Sequence, residues 1–197
     1  LALCRGFGIS ALGLSGVDGG LVTAHRRAPV TLASGEVVDY GMVGDIDAVD
    51  ATVITRLLDA GFLPVVSPLS ADGTGQLLNI NSDTVAAAIG GALVAEKLIL
   101  CTGAPGILER LDDPRSLISY TDVAGLRRLR EERALSDGML PKSSAIESAI
   151  RGGVRRVHVI SYAAPDALLA EVFTNEGTGT LVVADTKALS PAEQGAL

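Results

Sequence analysis

The sequence predicts an α/β fold: a mostly parallel central sheet with helices on both faces. Three observations carry that prediction. Short apolar runs alternate with stretches of helical periodicity, the pattern of strand–helix–strand units. Hydrophobic residues make up 48% of the 197 residues but aromatics only 3%, with no tryptophan. The core must therefore be filled by alanine, valine, leucine and isoleucine, which suit close packing of helix on sheet. Finally, the strand-like runs lead into polar residues at Ser67, Thr102 and Ser161, at the carboxyl ends where open parallel sheets bind ligands.

The elements follow in order. Leu1-Ala-Leu-Cys-Arg-Gly6 reads as the inside of a helix, with no initiator methionine and no charged leader. A front portion is therefore expected to be missing from this sequence. Residues 9–14 form a strand. Residues 21–24 and 37–40 are shorter strands around a polar turn at Ser34-Gly35, and are expected to pair as a hairpin. Residues 47–60 carry apolar side chains at 49, 53, 54, 57 and 58, an amphipathic helix with Asp47 as its cap and Gly61 as its left-handed stop. Residues 63–67 form a buried strand. A loop with Gly73 and Gly75 leads to Asn79-Ile-Asn-Ser-Asp83 and an alanine-rich helix. Residues 97–102 are the next buried strand. Residues 122–133 and 138–151 are helices, the second ended by Gly152-Gly153. Residues 157–160 form a strand, 167–173 a helix and 181–183 a last strand, and the tail from Asp185 is expected to fray. No repeat or low-complexity segment interrupts the chain, so residues 1–197 read as one domain.

Charge and cysteine content exclude several classes. The net charge is −7, whereas nucleic-acid binding needs a basic face. The arginines at 127–133 alternate with Glu131 and Glu132 and read as a solvated helix surface, as do Arg155 and Arg156. No apolar run approaches the 18 residues of a membrane span. Cys4 and Cys101 share no close-spaced motif and lie in apolar contexts. They read as reduced core residues of a cytoplasmic protein. His25 and His158 are isolated in sequence. His158, inside Val157-His158-Val159-Ile160, reads as a buried structural histidine rather than a metal ligand.

The residues that carry chemistry cluster at helix starts. Any one of Asn81, Ser82 or Asp83 could simply cap the alanine-rich helix. Four polar residues among five positions (79, 81, 82 and 83) exceed what a cap needs. Lys142 follows Gly138-Met-Leu-Pro at another helix start, where its charge opposes the helix dipole. It is one of three lysines against thirteen arginines. A compact ammonium there suits a phosphate oxygen, while the plain alternative is an exposed surface lysine. Thr102-Gly103-Ala-Pro-Gly106-Ile107-Leu108 follows a strand, and its glycines would let a nucleotide approach the backbone. Taken alone it could equally be a turn. Gly73-Thr-Gly75 and Gly177-Thr-Gly179 are weak fragments, and the glycines at 13, 16, 19 and 20 mark a ligand loop or a turn. No role follows from residue types for Asp39-Tyr-Gly-Met-Val-Gly-Asp45. A carboxylate near lysines aimed at an anion is what phosphoryl transfer needs, since that chemistry is mostly positioning and charge neutralisation.

Together these segments resemble the amino acid kinase family, and within it the branch that phosphorylates N-acetyl-L-glutamate. The resemblance runs through residues 13–20, 39–45, 63–68, 78–85, 97–100, 137–142 and 176–180. It implies a three-layer sandwich of which this chain is the central and C-terminal, nucleotide-binding part. It implies transfer of the ATP γ-phosphoryl group, as MgATP, to the side-chain carboxylate of N-acetyl-L-glutamate in arginine biosynthesis. By the same resemblance, Lys142 neutralises charge on the transferring group and Asp83 holds the catalytic lysines. Asn79 hydrogen-bonds the acetylglutamate α-substituents, and Gly103, Gly106, Ile107, Leu108 and Ser136 line the nucleotide. The Mg2+ is held mainly by the nucleotide, with no protein metal site, and the protein is a homodimer or larger homo-oligomer.

The sequence departs from the family pattern in two ways. The opening Lys-x-Gly-Gly strand, the His-Gly-Gly-Gly loop and the substrate-gripping arginine of the family are absent from these 197 residues. Gly103 stands where the family has an aspartate. Two alternatives remain open at this stage: a related kinase of aminoadipate in lysine synthesis, and a non-catalytic homologue acting as a sensor or partner-binding protein.

Overall fold

The structure, a computed structural model, describes residues 1–32, 34–113, 115–136, 138–174 and 177–188. Asp137 and Glu176 of the motifs above, and the tail 189–197, lie outside the described residues. The chain divides into two compact units, Leu1–Val85 and Ala86–Leu197.

The first unit opens with helix α1 (Ala2–Gly6) and strand β1 (Ala11–Ser15). Strands β2 (Val22–Arg26), β3 (Val30–Thr31), β4 (Val37–Val38) and β5 (Gly44–Val49) follow, then helix α2 (Thr52–Asp59). Strands β6 (Leu63–Ser67), β7 (Leu69–Ala71) and β8 (Leu77–Asn79) complete it. β1 and β6 pair in parallel, from Ala11 opposite Leu63 to Ser15 opposite Ser67. A four-stranded sheet runs β5-β2-β7-β8, parallel between β2 and β7 and antiparallel elsewhere. Leu21, Val22, Ala24, Leu78 and Ile80 are buried.

The expected hairpin is real but smaller and differently composed. Its arms are β3 and β4 around Ser34-Gly35, while β2 pairs with β5. Asp47 is not a helix cap. It lies in β5, where its carboxylate meets His25 Nδ1 at 2.7 Å, so His25 is not isolated either. The helix begins five residues later, and Asp50 Oδ1 accepts the Thr52 N–H at 3.0 Å. Gly61 does end the helix region with φ of +80°, as only glycine does at low cost.

In the second unit the α/β pattern follows the sequence closely. Helix α3 (Ser82–Ala92) begins in the last residues of the first unit and continues here. Strand β9 (Lys97–Thr102), strand β10 (Tyr120–Asp122), helices α4 (Val123–Glu131) and α5 (Met139–Arg151), strand β11 (Arg156–Ser161), helix α6 (Ala167–Phe173) and strand β12 (Thr180–Val183) follow. The sheet order is β10-β12-β11-β9. β9 and β11 are parallel in matched register, Lys97 opposite Arg156 through Thr102 opposite Ser161. β12 runs antiparallel to β11 and parallel to β10. The two entering strands β10 and β12 therefore start at the end where β9 and β11 finish. One apolar core, with Leu100, Ile107, Leu126, Ile146, Val157, Val159 and Val182 inside it, fills the unit.

Three side-chain expectations change here. Cys101 is exposed, on a strand that stands at the edge of its sheet among the described residues, and Cys4 in α1 is half-buried. The arginines of α4 are not merely solvated: Arg127 and Arg130, with Arg151, converge on Glu147 of α5, clamping the two helices. Thr186, in the segment expected to fray, is tied to Asp122 through its amide and hydroxyl.

Val94 is a β-branched residue with φ of +48° and is 68% exposed. Left-handed backbone costs such a residue ~1–2 kcal/mol. Val94→Gly is expected to raise the midpoint of urea unfolding, by about 1 kcal/mol of stability. An unchanged or lower midpoint would contradict the strain. No helix among the described residues is long and apolar enough to cross a membrane.

Candidate active site

In the first unit, Asn79 ends β8 and Asp83 lies in the first turn of α3. The work of capping that helix falls to Asn81, whose side-chain oxygen accepts the Thr84 N–H at 3.2 Å. Asp83 thus carries a carboxylate at the positive end of the helix without being its cap. Asn79 is exposed. Its backbone is fixed by the segment for which residue types gave no role. The Asn79 N–H donates to the Met42 carbonyl at 2.8 Å, and Val43 bridges to Asn79. Asp39 and Asp45 pin that segment to the end of β2: both Asp39 oxygens accept from one terminal nitrogen of Arg26, and Oδ1 also takes the Gly41 N–H. Asp45 pairs with Arg27. These bonds hold both carboxyls below their ordinary range, the Gly41 amide leading at Asp39 and the Arg27 guanidinium at Asp45.

In the second unit, Lys142 is the fourth residue of α5 and only 7% exposed. The surface-lysine alternative is therefore excluded. Burial of an ammonium in the first turn of a helix is doubly unfavourable, through desolvation and the helix dipole. Its neighbour Ser143 is fully buried, donates to the Leu140 carbonyl and accepts from Arg130. Together with the Glu147 clamp this braces the turn that carries Lys142. Ser136 is exposed, and its carbonyl accepts the Met139 and Leu140 N–H groups at 2.8 and 3.1 Å. It belongs to the same helix start.

The loop 103–108 leaves the carboxyl end of β9. A side chain at Gly103 would stand 3.1 Å from the Tyr162 hydroxyl. Tyr162 follows the neighbouring strand β11, with its N–H on the Thr102 carbonyl. The tip of Tyr162 thus stands beside the space that an aspartate would use, and being 74% exposed it can give way to one. A Cβ on Gly106 would stand 2.7 Å from both Leu117 and the Thr180 hydroxyl. Ile107 is fully buried, and its N–H donates to Thr180 Oγ1 at 2.8 Å. Gly106 and Ile107 therefore shape the loop from within, while Gly103 is exposed and Leu108 half-buried. The structure joins Gly103, Gly106, Ile107 and Leu108 in one loop and Ser136 with Lys142 at one helix start. Asn79 and Asp83 belong to the other unit. Residue patterns did not assign roles to Thr180, Leu117, Tyr162 or Glu171. The Gly177-Thr-Gly179 fragment was the available signal, too short to name its partner 73 residues away.

The same fragment meets a buried glutamate–histidine pair. Glu171 Oε1 lies 2.7 Å from His158 Nδ1, and Oε2 accepts the Thr178 and Gly179 N–H groups at 2.6 and 3.1 Å. Burial alone would push the Glu171 carboxyl up. The His158 hydrogen bond, the Thr178 amide, the His158 charge and the Gly179 amide outweigh it and bring it from 4.5 down to about 2. His158 is buried, as its sequence context predicts.

These parts define an α/β protein with a glycine-lined loop at strand carboxyl ends and a buried lysine at a helix start. The chain belongs to the amino acid kinase family, whose pattern it matches over residues 2–161. It is 46% identical over 188 residues to the acetylglutamate kinase of Myxococcus xanthus, covering 93% of this chain and 61% of that protein. Identity to the acetylglutamate kinase of Archaeoglobus fulgidus is 43% over 178 residues, covering 89% and 61%. The chain thus spans about three fifths of the length of these relatives. Among solved structures, N-acetylglutamate synthase from Neisseria gonorrhoeae, complexed with coenzyme A and N-acetyl-glutamate, superposes with a TM-score of 0.78 at 27% identity. It covers 98% of this chain and 43% of that one. E. coli aspartokinase III, in complex with aspartate and ADP, shares the fold at a TM-score of 0.65 and 18% identity, covering 94% and 37%.

Proposed function

We propose that residues 1–197 form the central and C-terminal part of an acetylglutamate kinase domain. The reaction joins a side-chain carboxylate oxygen of N-acetyl-L-glutamate to the γ-phosphorus of MgATP, with ADP as the leaving group. Metal enters with the nucleotide phosphates as part of the substrate. The observation that carries this reading is the burial of Lys142 in the first turn of α5, in a chain 46% identical to an acetylglutamate kinase.

Lys142 is assigned to the charge that develops on the transferring phosphoryl group, where a fixed cation lowers the barrier. Asp83 is assigned to orienting lysine ammonium groups, and Asn79 to the α-substituents of acetylglutamate. The loop 103–108 and Ser136 are assigned to the nucleotide. The reading places the protein in the cytoplasm, as a homodimer or larger homo-oligomer.

The test is ADP release from MgATP with N-acetyl-L-glutamate, with glutamate and aspartate as controls. Release that depends on the acetylated substrate is expected. Release with either control at equal rate would remove the substrate assignment, and no release with any of them would remove the activity from this chain.

A further inference from the structure

His158 and Glu171 are 6% and 7% exposed. Replacing a buried ion pair by packed hydrophobic residues is often neutral or stabilising. Stability alone therefore does not single out this pair over apolar packing, and its hydrogen bonds point to geometry as well. The Glu171 oxygen that faces away from His158 grips the two amides immediately before β12. At Gly179 a Cβ would stand 2.1 Å from the Val159 carbonyl oxygen, so this backbone passes as close to β11 as a chain can. The next residue is Thr180, fully buried, whose hydroxyl accepts the Ile107 N–H and fills the space beside Gly106. Two short links therefore run from the carboxylate to the loop 103–108: amide to carboxylate, then amide to hydroxyl. The unusual step is the last one. A buried backbone N–H is normally satisfied by backbone, and here one side chain from a distant strand does it.

We propose that Thr180, set in place by the Glu171–His158 pair, is a positioning residue for nucleotide binding, holding the loop 106–108 in the shape that receives an adenine nucleotide. The inference rests on the kinase reading and adds to it residues that touch no substrate. Without the Thr180 hydroxyl, the Ile107 amide has to turn elsewhere for an acceptor, and the loop moves with it. The Thr180 methyl, by contrast, only fills core.

The experiment separates hydroxyl from methyl. Thr180→Val keeps the shape and loses the acceptor. Thr180→Ser keeps the acceptor and loses a buried methyl, which lowers stability. MgATP binding to the 197-residue chain is measured by titration calorimetry, thermal unfolding is followed in parallel, and hydrogen exchange is read at the Ile107 amide. Thr180→Val is expected to weaken MgATP about tenfold and to speed Ile107 exchange. Thr180→Ser is expected to bind within about twofold of the unaltered chain despite its lower Tm. Glu171→Gln, which weakens the grip on Thr178 and Gly179, is expected to shift affinity in the same direction as Thr180→Val, and it stands in if that variant does not fold. Affinities that follow Tm, with serine as weak as valine, would overturn the positioning role, as would unchanged binding in both Thr180→Val and Glu171→Gln. If the unaltered chain binds no MgATP while Ile107 exchange still responds to Thr180→Val, the kinase reading falls and this inference falls with it.

Discussion

Lys142→Met is expected to lower turnover with MgATP and N-acetyl-L-glutamate by about 10²–10³-fold, the usual loss when one fixed group facing developing charge is removed. Methionine keeps most of the buried stem and deletes only the ammonium, so the packing around Ser143 and the α4–α5 clamp stays filled. The dissociation constant of MgATP is expected to move by less than about fivefold, because the charge that Lys142 meets is greatest in the transition state. Steady-state kinetics beside calorimetric binding reads both quantities. Turnover within about threefold of the unaltered chain would remove Lys142 from the reaction. A rise in KM with kcat unchanged would make it a binding residue instead.

Glu171→Ala is expected to cost ~3–5 kcal/mol of stability, the usual result when one partner of a buried ion pair is deleted. It leaves His158 buried beside a void and the Thr178 and Gly179 amides without their acceptor. For a chain of this length that corresponds to a fall in Tm of about 10 °C. The same carboxylate makes the fold sensitive to acid. Its folded value lies at about 2, below its ordinary 4.5, so the folded state holds its proton less tightly than the unfolded chain. The stabilisation it gives is complete above roughly pH 5 and is lost as pH falls toward 2, by about 3 kcal/mol in all. Urea midpoints between pH 6 and 3 should therefore fall in the unaltered chain and fall less in Glu171→Ala. Parallel slopes would show that other carboxylates dominate acid unfolding.

The second unit was far more legible in the sequence than the first. Strand β9, helix α6 and the Asp122-capped α4 match their sequence pattern to within a residue or two, because continuous apolar runs and amphipathic helices write strong patterns even where, as in β9, only Leu100 is fully buried. The first unit is built of short, half-exposed, largely antiparallel pairs. In β5, Gly44-Asp-Ile-Asp-Ala-Val49, the two aspartates serve Arg27 and His25 rather than a helix cap, and Val49 happens to fit the helical spacing that follows. Strands β7 and β8, three residues each, are too short for any period to declare itself. Residue type and neighbourhood pointed to Asn79, Asp83 and Lys142 as candidates. What they lacked was depth: nothing in Gly-Met-Leu-Pro-Lys says that the lysine is buried, since that depends on α4 and the sheet beneath it. The Ile107–Thr180 bond was out of reach for a related reason, as its partners meet only once β12 turns back against β11.

That reversed strand has a temporal consequence. Synthesis delivers the chain from its amino end, and local structure forms as it emerges. The loop after β9 leaves the ribosome early, but the hydroxyl that fixes its shape is about 70 residues behind it. A nascent chain stopped short of β12 can build α3, β9 and the α4–α5 pair and still lack a formed nucleotide loop. On the kinase reading proposed above, competence to bind ATP would then arrive late and abruptly, with β12, and a polypeptide stopped before it would not draw on the cell's nucleotide pool.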